Sequence, residues 1–594
     1  MKTARLWPAI AACTLLAACG GGSTSGGGGI GSTPTPTPGP TPGPTPTNTS
    51  LADLQYSENF TNDAASGSGT IRKSDGGGSA TAARSTVTVR YDAAARSYTI
   101  TSGSRSQTFA PADRSASDSS AFFDVYYRTN GSTQDALSLT RPGSSGPLTY
   151  NYVGSGFWQR VSENSSSYTL GVDAFTYGVE TPDAAMPRSG GAVYSIDLIG
   201  SSGLTTYSGA GSLSADFASS RLSMDVDFQE ILDGGVVNPF LYDFSASAQI
   251  GGANRFEGTF RTNVFEQFSG QLNGRFYGPA AEEVGATFVG SGDYGSVIVG
   301  TITGRQDNTL PGRNQTLVDL VFSENFSTQF ASFHYVLDSD GVIVRADRFG
   351  TSRLELGYDV QTDGYTLTGS FDNIDQFHPS SRVESKSNNL FTVYETVQGD
   401  RTNRLTMYNP GGGNDELALS YASFGRWEQI EPENGLPTAE FTREAAFVYG
   451  VRTAVDQMPR TGNAHFEGVA YGIANQPEAG GTLWDITGTS RFDVSFQSQG
   501  FTGSLNLAGT ARNTGNPRDF GTYVIDDGRI SSGAMSAAIM RNDQVLGGFH
   551  GNLYGPDASE IAGAFSFQTP LNNEVTAPYQ LHYFSGIAVA KRTP

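Results

Sequence analysis

One stretch of the sequence occurs twice, and this duplication constrains the fold more than any other feature. The first copy runs from Phe268 to Gly290 and the second from Val545 to Phe567. In each copy an alternating apolar and polar run leads into a Tyr-Gly-Pro turn, and a second such run follows. Two hairpins of this kind, each near the end of one half of the chain, predict a duplicated β domain.

The residues shared by the two predicted hairpins are the turn itself and an acidic residue after it. Glycine supplies unusual φ angles in such a turn and proline fixes φ, so we expect these positions to be structural. Glu283 lies beside Glu282 in the first connection. The motif residues are Tyr277, Gly278, Pro279 and Glu282 in the first copy, and Tyr554, Gly555, Pro556 and Glu560 in the second.

The similarity between the two halves covers the chain from Leu51 onward, with an offset of about 270 residues. The order of the matching segments is preserved, and Trp158 aligns with Trp427. Self-similarity over so long a unit indicates tandem domains. The matching segments are Leu54–Phe60 with Leu320–Phe326, Tyr91–Thr101 with Tyr358–Thr368, Ser155–Val161 with Phe424–Ile430, and Phe175–Gly190 with Phe447–Gly462.

Composition favours strands and turns within each unit. Glycine is abundant (75 residues), phenylalanine and tyrosine are frequent (36 and 26), and segments such as Ser85–Asp92 alternate with period two. Glycine- and serine-rich breaks recur at the short spacing typical of sandwiches and barrels. The Met-Pro-Arg-Ser/Thr-Gly motifs at 186–190 and 458–462 predict that each unit divides into two β subdomains.

Charge and cysteine content exclude several classes of function. The formal net charge is −21. An acidic surface repels phosphate groups, so nucleic acid is not an expected partner. Both cysteines, Cys13 and Cys19, fall in the first twenty residues. The folded part therefore has neither a disulfide nor a thiolate metal site.

The first fifty residues predict a lipid anchor and a tether. Residues 1–18 have a basic start and an apolar run, as in a signal peptide, and Leu16–Cys19 resembles the bacterial lipobox. We therefore expect cleavage before Cys19 and acylation of this residue, which gives stable membrane anchoring. Residues 19–50 are rich in glycine, serine, threonine and proline, and their Thr-Pro part alone can extend roughly 45 Å. No aspartate follows Cys19, which favours the outer membrane.

The lipobox, the tether and the two copies of both motifs together resemble the transferrin-binding protein B family of surface lipoproteins. The resemblance implies an all-β, bilobed protein in which each lobe has a β handle followed by an eight-stranded antiparallel barrel. Closing a sheet into a barrel removes exposed edges. The implied domains are an N-lobe handle at 51–186 and barrel at 187–306, a linker at 307–315, and a C-lobe handle at 316–458 and barrel at 459–594.

The activity implied by the resemblance is binding, so we do not expect an enzyme. Such a lipoprotein, anchored in the outer membrane and exposed at the cell surface, would bind an iron-carrying protein or haem. It would pass iron to a TonB-dependent outer-membrane receptor. A surface adhesin or structural lipoprotein of the same fold, with no iron role, is the alternative. A glycan-active enzyme with paired carboxylates is a third hypothesis, although the first repeat lacks histidine and the acids are scattered.

All five histidines fall in the second repeat, so a histidine ligand for haem would have to lie there. His378, in a loop beside a proline, and His550, in the strand before Tyr554, are the candidates, with ordinary surface or strand residues as the alternative. No histidine pair has metal-ligand spacing, and we expect no resident cofactor or metal. The aromatic residues Phe240, Tyr242, Phe265 and Phe268 are either partner anchors or part of the barrel.

Overall fold

The computed structural model describes residues 47–203, 205–232, 236–264, 267–347, 354–369, 374–476, 480–570 and 581–594. Over these ranges the chain is built from β-strands and six one-turn 3-10 helices. No helix within them is long and apolar enough to cross a membrane. The predicted signal peptide, Cys19, most of the predicted tether and Phe265 lie outside the described residues.

The chain folds as two compact units. The first holds most of the chain up to Asn308, and the second holds Thr309–Pro594 with two short segments, Arg188–Val193 and Ser214–Ser223. We call the part built from the first half of the chain the N-lobe and the part from Thr309 onward the C-lobe. The prediction of an all-β, two-lobed fold is confirmed, whereas the exact domain limits stay a prediction.

The N-lobe handle is one antiparallel sheet of eight strands in the order β4-β3-β2-β1-β8-β7-β6-β5. Its central strand, β1, pairs along its length with β2 and through its second half with β8. The strands are β1 (Glu58–Arg72), β2 (Gly78–Asp92), β3 (Ser97–Ser102), β4 (Arg105–Phe109), β5 (Phe123–Asn130), β6 (Thr133–Thr140), β7 (Val153–Glu163) and β8 (Ser167–Gly178).

The N-lobe barrel follows, with strand order β10-β9-β17-β16-β15-β14-β13-β11 and closure through pairing of β10 with β11. The two-residue strand β12 adds to β11. The strands are β9 (Gly191–Ser202), β10 (Thr205–Asp216), β11 (Arg221–Leu232), β12 (Val236–Val237), β13 (Tyr242–Ile250), β14 (Arg255–Thr262), β15 (Phe268–Tyr277), β16 (Glu283–Gly292) and β17 (Val297–Gln306).

The C-lobe handle forms two sheets, β18-β21-β22-β23 and β20-β19-β27-β26-β25-β24. The strands are β18 (Glu324–Ser327), β19 (Gln329–Leu337), β20 (Ile343–Asp347), β21 (Leu354–Asp359), β22 (Gly364–Gly369), β23 (Ile374–Phe377), β24 (Phe391–Gln398), β25 (Arg401–Tyr408), β26 (Ala422–Glu433) and β27 (Leu436–Gly450).

The C-lobe barrel is a closed sheet of eight sequential strands. The strands are β28 (Asn463–Asn475), β29 (Leu483–Ser495), β30 (Gly500–Ala511), β31 (Pro517–Ser531), β32 (Ala534–Arg541), β33 (Gln544–Tyr554), β34 (Glu560–Pro570) and β35 (Leu581–Arg592). The 3-10 helices are Pro111–Asp113, Asp183–Ala185, Pro379–Ser381, Glu384–Lys386, Val455–Gln457 and Pro556–Ala558.

Burial along the barrel strands shows where each handle sits. Strands such as β30 alternate buried and exposed residues, as expected when one face fills the barrel and the other meets solvent. In contrast, β16 and β34 begin with six or more consecutive buried residues. Both faces of these strands are covered, because the handle packs on the outside. The N-lobe junction is an apolar cluster that includes Ala65, Phe157 and Val299.

Candidate functional site

The Tyr-Gly-Pro turn of the N-lobe connects barrel to handle. The Tyr277 side chain is fully buried, and its hydroxyl lies 3.3 Å from Oγ1 of Thr176 on the handle. Gly278 has φ +86°, and a Cβ built there would lie 2.7 Å from the Tyr152 ring. Only glycine fits this close approach in the left-handed region. The turn therefore holds the barrel tightly against the loop that leads into β7.

The first residue of β16, Glu283, clamps the handle directly. Its carboxylate accepts hydrogen bonds from the backbone N–H groups of Asn151 (2.8 Å), Tyr152 (2.7 Å) and Val153 (2.9 Å). Burial raises the pKa of Glu283, while the three N–H donors act in the opposite direction. One barrel side chain thus satisfies three handle amides that would otherwise be buried without acceptors.

The C-lobe repeats this clamp. Glu560, the first residue of β34, accepts hydrogen bonds from the backbone N–H groups of Ser420 (2.7 Å), Tyr421 (2.9 Å) and Ala422 (2.8 Å). Burial again raises the pKa of the carboxyl group, against the effect of the three amides. Gly555 has φ +71°, and a Cβ there would lie 2.3 Å from the Tyr421 ring. The Tyr554 side chain is fully buried.

The structure corrects one motif residue. Glu283, and not Glu282, is the counterpart of Glu560, because Tyr277 pairs with Glu283 in the hairpin and Tyr554 pairs with Glu560. The Glu282 carboxylate accepts a hydrogen bond from the Ala280 N–H group within its own turn (2.8 Å). The distance from the tyrosine along the chain would have distinguished the two adjacent acids in the sequence.

A second duplicated clamp, which the sequence analysis missed, lies where each handle begins. The Asn48 side chain accepts hydrogen bonds from the N–H groups of Gln55 (2.7 Å) and Tyr56 (3.0 Å) and donates to the Glu58 carboxylate (2.6 Å). Asn314 and Glu324 repeat this arrangement, with the amide donating to the carboxylate at 2.9 Å. Asn314 falls inside the segment that we predicted to be a linker. The sequence carries a signal for this clamp, because both halves place an asparagine ahead of a leucine and of a Ser-Glu-Asn-Phe segment.

The C-lobe junction between handle and barrel contains a network of charges around the buried carboxylate of Glu444. Arg512, which follows barrel strand β30, donates to Asp485 (2.8 Å), to Glu444 (3.2 Å) and to the Tyr335 hydroxyl (2.6 Å). Arg426 on handle strand β26 pairs with Glu444 at 3.3 Å. Burial acts to raise the pKa of Asp485, but the two arginines outweigh it and lower that pKa below its usual value. Asp485 is therefore held in its ionised form beside the two arginines.

The N-lobe junction has a smaller set of charges. Arg275 on barrel strand β15 bonds the carboxylates of Asp63 (3.3 Å) and Glu180. Around Phe157 the junction is apolar, and it encloses a cavity of about 380 Å³ between the handle and the barrel. The two lobes therefore share their clamps but differ in what lies between the clamped parts.

The histidines lie on separate elements. His378 is exposed at the start of the 3-10 helix Pro379–Ser381, and His550 is exposed on β33. His582 is buried against Trp484 and Phe520, and burial lowers its pKa to about 4. Among the described residues no group of three or more His, Cys, Asp or Glu side chains could hold a metal ion. A haem-ligand role for His378 or His550 stays a prediction.

The aromatic residues proposed as anchors divide between surface and core. Phe240 is 67% exposed, Tyr242 is half-buried and Phe268 is 2% exposed. Leu241 and Val236 beside Phe240 are also exposed, and Tyr294 at the β16–β17 turn is 78% exposed. Exposed apolar groups that lie close together on loops are typical of protein-binding surfaces. The surface around Phe240, here defined as Val236–Leu241, is therefore the stronger candidate for partner contact.

Both barrels are similar to barrels of known proteins. A family model described as the C-lobe and N-lobe β-barrels of transferrin-binding protein B matches residues 186–309 and 458–587. The chain is 25% identical over 392 residues to transferrin-binding protein B of Haemophilus influenzae, covering 60% of this chain and 57% of the relative. Both barrels of this chain therefore resemble those of the transferrin-binding protein B family.

Other relatives in the family are similarly distant. Transferrin-binding protein B of Neisseria meningitidis serogroup B is 26% identical over 347 residues, covering 53% of this chain and 48% of the relative. The chain spans about half the length of the curated relatives it matches. Intact Ap-TbpB aligns over 89% of this chain and 95% of that chain, with 15% identity and a TM-score of 0.25. At that score the structural alignment carries no argument, and the similarity to the family depends on the sequence matches.

Proposed function

We propose that this protein is an outer-membrane lipoprotein that binds an iron-carrying protein of the transferrin type. The observation that carries the proposal is the match of both barrels to the family model. The names of the relatives, all transferrin-binding protein B, give the class of ligand. Binding, with no catalytic step, agrees with a site built from clamps and exposed loops.

The duplicated clamps support a display function. Glu283 and Glu560 each fasten a handle to a barrel through three charge-assisted hydrogen bonds, which are stronger than neutral ones. A rigid scaffold lets loops meet a large partner without an entropic cost for ordering the whole lobe. Val236–Leu241 and Tyr294 are the apolar groups that we assign to such contacts, because exposed aromatic residues are common anchors of interfaces.

Surface anchoring through acylated Cys19, and transfer of iron to a TonB-dependent receptor, belong to the same proposal. The predicted lipobox and the Gly/Pro-rich tether support them. Labelling with a fatty-acid analogue, followed by membrane fractionation, tests the anchor. The Cys19→Ala variant should lose both the label and the outer-membrane fraction, and retention of both would refute acylation at Cys19.

The ligand proposal is tested by measuring binding of the protein to a panel of iron-loaded and iron-free transferrins by interferometry. We expect saturable binding to at least one iron-loaded transferrin, weakened about tenfold or more by the Phe240→Ala/Leu241→Ala double variant, as for anchor residues. Val545→Ala, an exposed apolar residue of the C-lobe barrel, is the matched control and should bind normally.

Failure of the folded protein to bind any transferrin would overturn the ligand assignment. A haemin titration in the same experiment separates the other iron source. A Soret shift that saturates at one haem per chain and is lost in His378→Ala or His550→Ala would assign haem instead. If neither ligand binds, the adhesin alternative takes precedence.

A further inference from the structure

The N-lobe encloses a cavity of about 380 Å³ where the handle meets the barrel. The handle contributes parts of β1, β2, β7 and β8, and the barrel contributes the β9–β10 and β16–β17 turns. The cavity opens to the surface on both sides, because lining residues of the handle (Ser79, Ala80) and of the two turns (Gly203, Tyr294, Gly295) are exposed. All of its lining belongs to the first compact unit.

The duplication supplies an internal reference for this cavity. Phe175 and Phe447 occupy matching places in the aligned segments, and Ala64 and Phe330 lie opposite them on the neighbouring strands. Counting along these registers assigns C-lobe counterparts to cavity residues on β1, β7 and β8. The matched pairs are Gly67 with Phe333, Gly69 with Tyr335, Phe157 with Arg426, Gln159 with Glu428, and Val172 with Glu444.

In the C-lobe the counterparts fill the same place. Phe333 and Tyr335 are each 2% exposed and pack with Ile343, Ile473 and Leu483. The Tyr335 hydroxyl donates to the Glu444 carboxylate at 2.8 Å. Ile473 follows Gly462 at the spacing at which Ser201, a cavity residue, follows Gly190. In the N-lobe, glycines, a serine and apolar side chains thus leave a space between handle and barrel. In the C-lobe, aromatic and charged side chains fill the corresponding space.

An opening of this size is not a packing fault of the fold. Protein interiors are close-packed, and unfilled volume destabilises them. The same chain builds the same junction with the space filled, so the architecture does not require a void. A cavity that has an entrance and a volume in the range of small-molecule sites, which is roughly 300–1,000 Å³, is better explained by an occupant.

The lining defines the chemistry of that occupant. Phe157, Val172, Ile199 and Val299 supply apolar surface together with glycine backbone. Arg160 is the charged residue of the lining, and Asp135 accepts two hydrogen bonds from its guanidinium at 2.7 and 3.0 Å. The remaining polar side chains are neutral. Among the described residues of the lining, no unpaired charge is available to attract an ionic ligand.

We propose that this cavity is a binding site for a neutral, apolar small molecule. Its volume is well above the ~150 Å³ of an engineered cavity that accepts benzene, so a ligand of two or three fused rings, or a short acyl chain, fits. Tyr294 at its opening is also one of the groups assigned to partner contact, whereas Val236–Leu241 lies outside the lining. The probe titration needs no transferrin, so its outcome is independent of the proposed function.

The experiment is a titration of the protein with N-phenyl-1-naphthylamine, a neutral probe that fluoresces in apolar surroundings. We expect a saturable increase at one probe per chain. Gly67→Phe, which places in the N-lobe the ring that the C-lobe already carries, should weaken probe binding at least tenfold. A Cβ at Gly67 would lie 3.2 Å from Val172 and 3.5 Å from Val299, so the ring enters the cavity.

Two further variants keep the test decisive. Asn59→Phe adds the same ring at an exposed residue of β1 outside the cavity and should bind like the unmodified protein. Ser201→Ile fills the cavity from the barrel side and decides the matter if Gly67→Phe does not fold, as judged by circular dichroism. The proposal is overturned if the unmodified protein shows no saturable binding, or if the folded filling variants bind the probe unchanged.

Discussion

The handle–barrel junctions of the two lobes begin from the same strand pairings and end in different chemistry. In the N-lobe, Phe157 and Val172 face a cavity beside Gly67. In the C-lobe the matching Arg426 and Glu444 belong to a charged network that Arg512 extends into the barrel. The clamp glutamates beside both junctions are unchanged. Duplicated lobes can therefore keep the contacts that dock handle on barrel while the enclosed volume diverges.

The handles differ in a related way. In the N-lobe a single strand, Glu58–Arg72, carries pairing to both neighbours and unites the handle as one sheet. In the C-lobe the corresponding segment is broken after Ser327, and its two parts, Glu324–Ser327 and Gln329–Leu337, join different sheets. The two aligned tryptophans each donate to a buried aspartate, Trp158 to Asp135 and Trp427 to Asp375. The rearranged sheets thus preserve a polar contact but draw its acceptor from a different strand.

The largest effect is expected from removal of the arginine that bridges the C-lobe junction. Arg512→Met leaves Glu444 buried with fewer partners, and breaking a buried ion pair costs about 3–5 kcal/mol. Arg275→Met in the N-lobe should cost less, since its partners Asp63 and Glu180 are 26% and 35% exposed, whereas Glu444 beside Arg512 is 4% exposed. Urea unfolding followed lobe by lobe with hydrogen exchange measures both. Equal losses in the two lobes would mean that the networks are not the difference we describe.

Removal of a clamp glutamate should have the next largest effect, and the same one in each lobe. Glu283→Ala and Glu560→Ala each leave three backbone N–H groups without their acceptor. We expect each change to lower the free energy of unfolding by about 3 kcal/mol. Glu282→Ala is the matched control and should change the free energy of unfolding by less than about 0.5 kcal/mol, as surface substitutions do. A loss in Glu282→Ala as large as in Glu283→Ala would restore Glu282 as the clamp.

The asparagine clamps offer a smaller comparison. Asn48→Ala and Asn314→Ala each remove a buried amide that bonds two N–H groups and a carboxylate, and we expect about 2 kcal/mol in each case. Thermal unfolding with limited proteolysis near each handle start is the readout. A measurable loss at only one of the two positions would show that this part of the duplication has diverged in energetics.

The smallest expected difference between the two junctions is in how their stability depends on pH. Glu428 and Asp485 have lowered pKa values in the folded C-lobe because Arg426 and Arg512 outweigh the effect of burial. Their stabilisation is present above the ordinary carboxyl values of 4.5 and 3.8 and is lost as the pH falls below them. The pKa values of Glu283 and Glu560 are raised, so their titration favours the folded state as the pH falls.

Acidification should therefore weaken the C-lobe more than the N-lobe, chiefly through Glu428, which is 3% exposed and can contribute up to about 1.4 kcal/mol per pH unit. Asp485 is 47% exposed, so solvent screening reduces its share. Lobe-resolved hydrogen exchange between pH 6 and 3 measures the difference, and Arg512→Met should reduce it. Identical acid sensitivity of the two lobes in the unmodified protein would contradict the assignment of the charges to one junction.

The sequence predicts the repeat, the all-β class and the hairpin turns, because period-two alternation and Tyr-Gly-Pro chemistry are local signals. It does not distinguish Glu282 from Glu283 unless register is counted from the tyrosine. The sequence does not predict the cavity or the charge network, since Gly67, Phe157 and Val172 meet only after three strands pair and a barrel docks on them. All five histidines lie in the second half of the sequence, which drew attention to them as ligands. In the structure, no two of His378, His550 and His582 lie on the same strand or helix.

The most direct test of the account is hydrogen exchange at the clamped amides in Glu283→Ala and Glu560→Ala. We expect faster exchange at residues 151–153 in the first variant only and at residues 420–422 in the second only. This result would show that one carboxylate fastens each handle within its own lobe. Unchanged exchange at the clamped amides, or acceleration in both lobes from either single change, would contradict it.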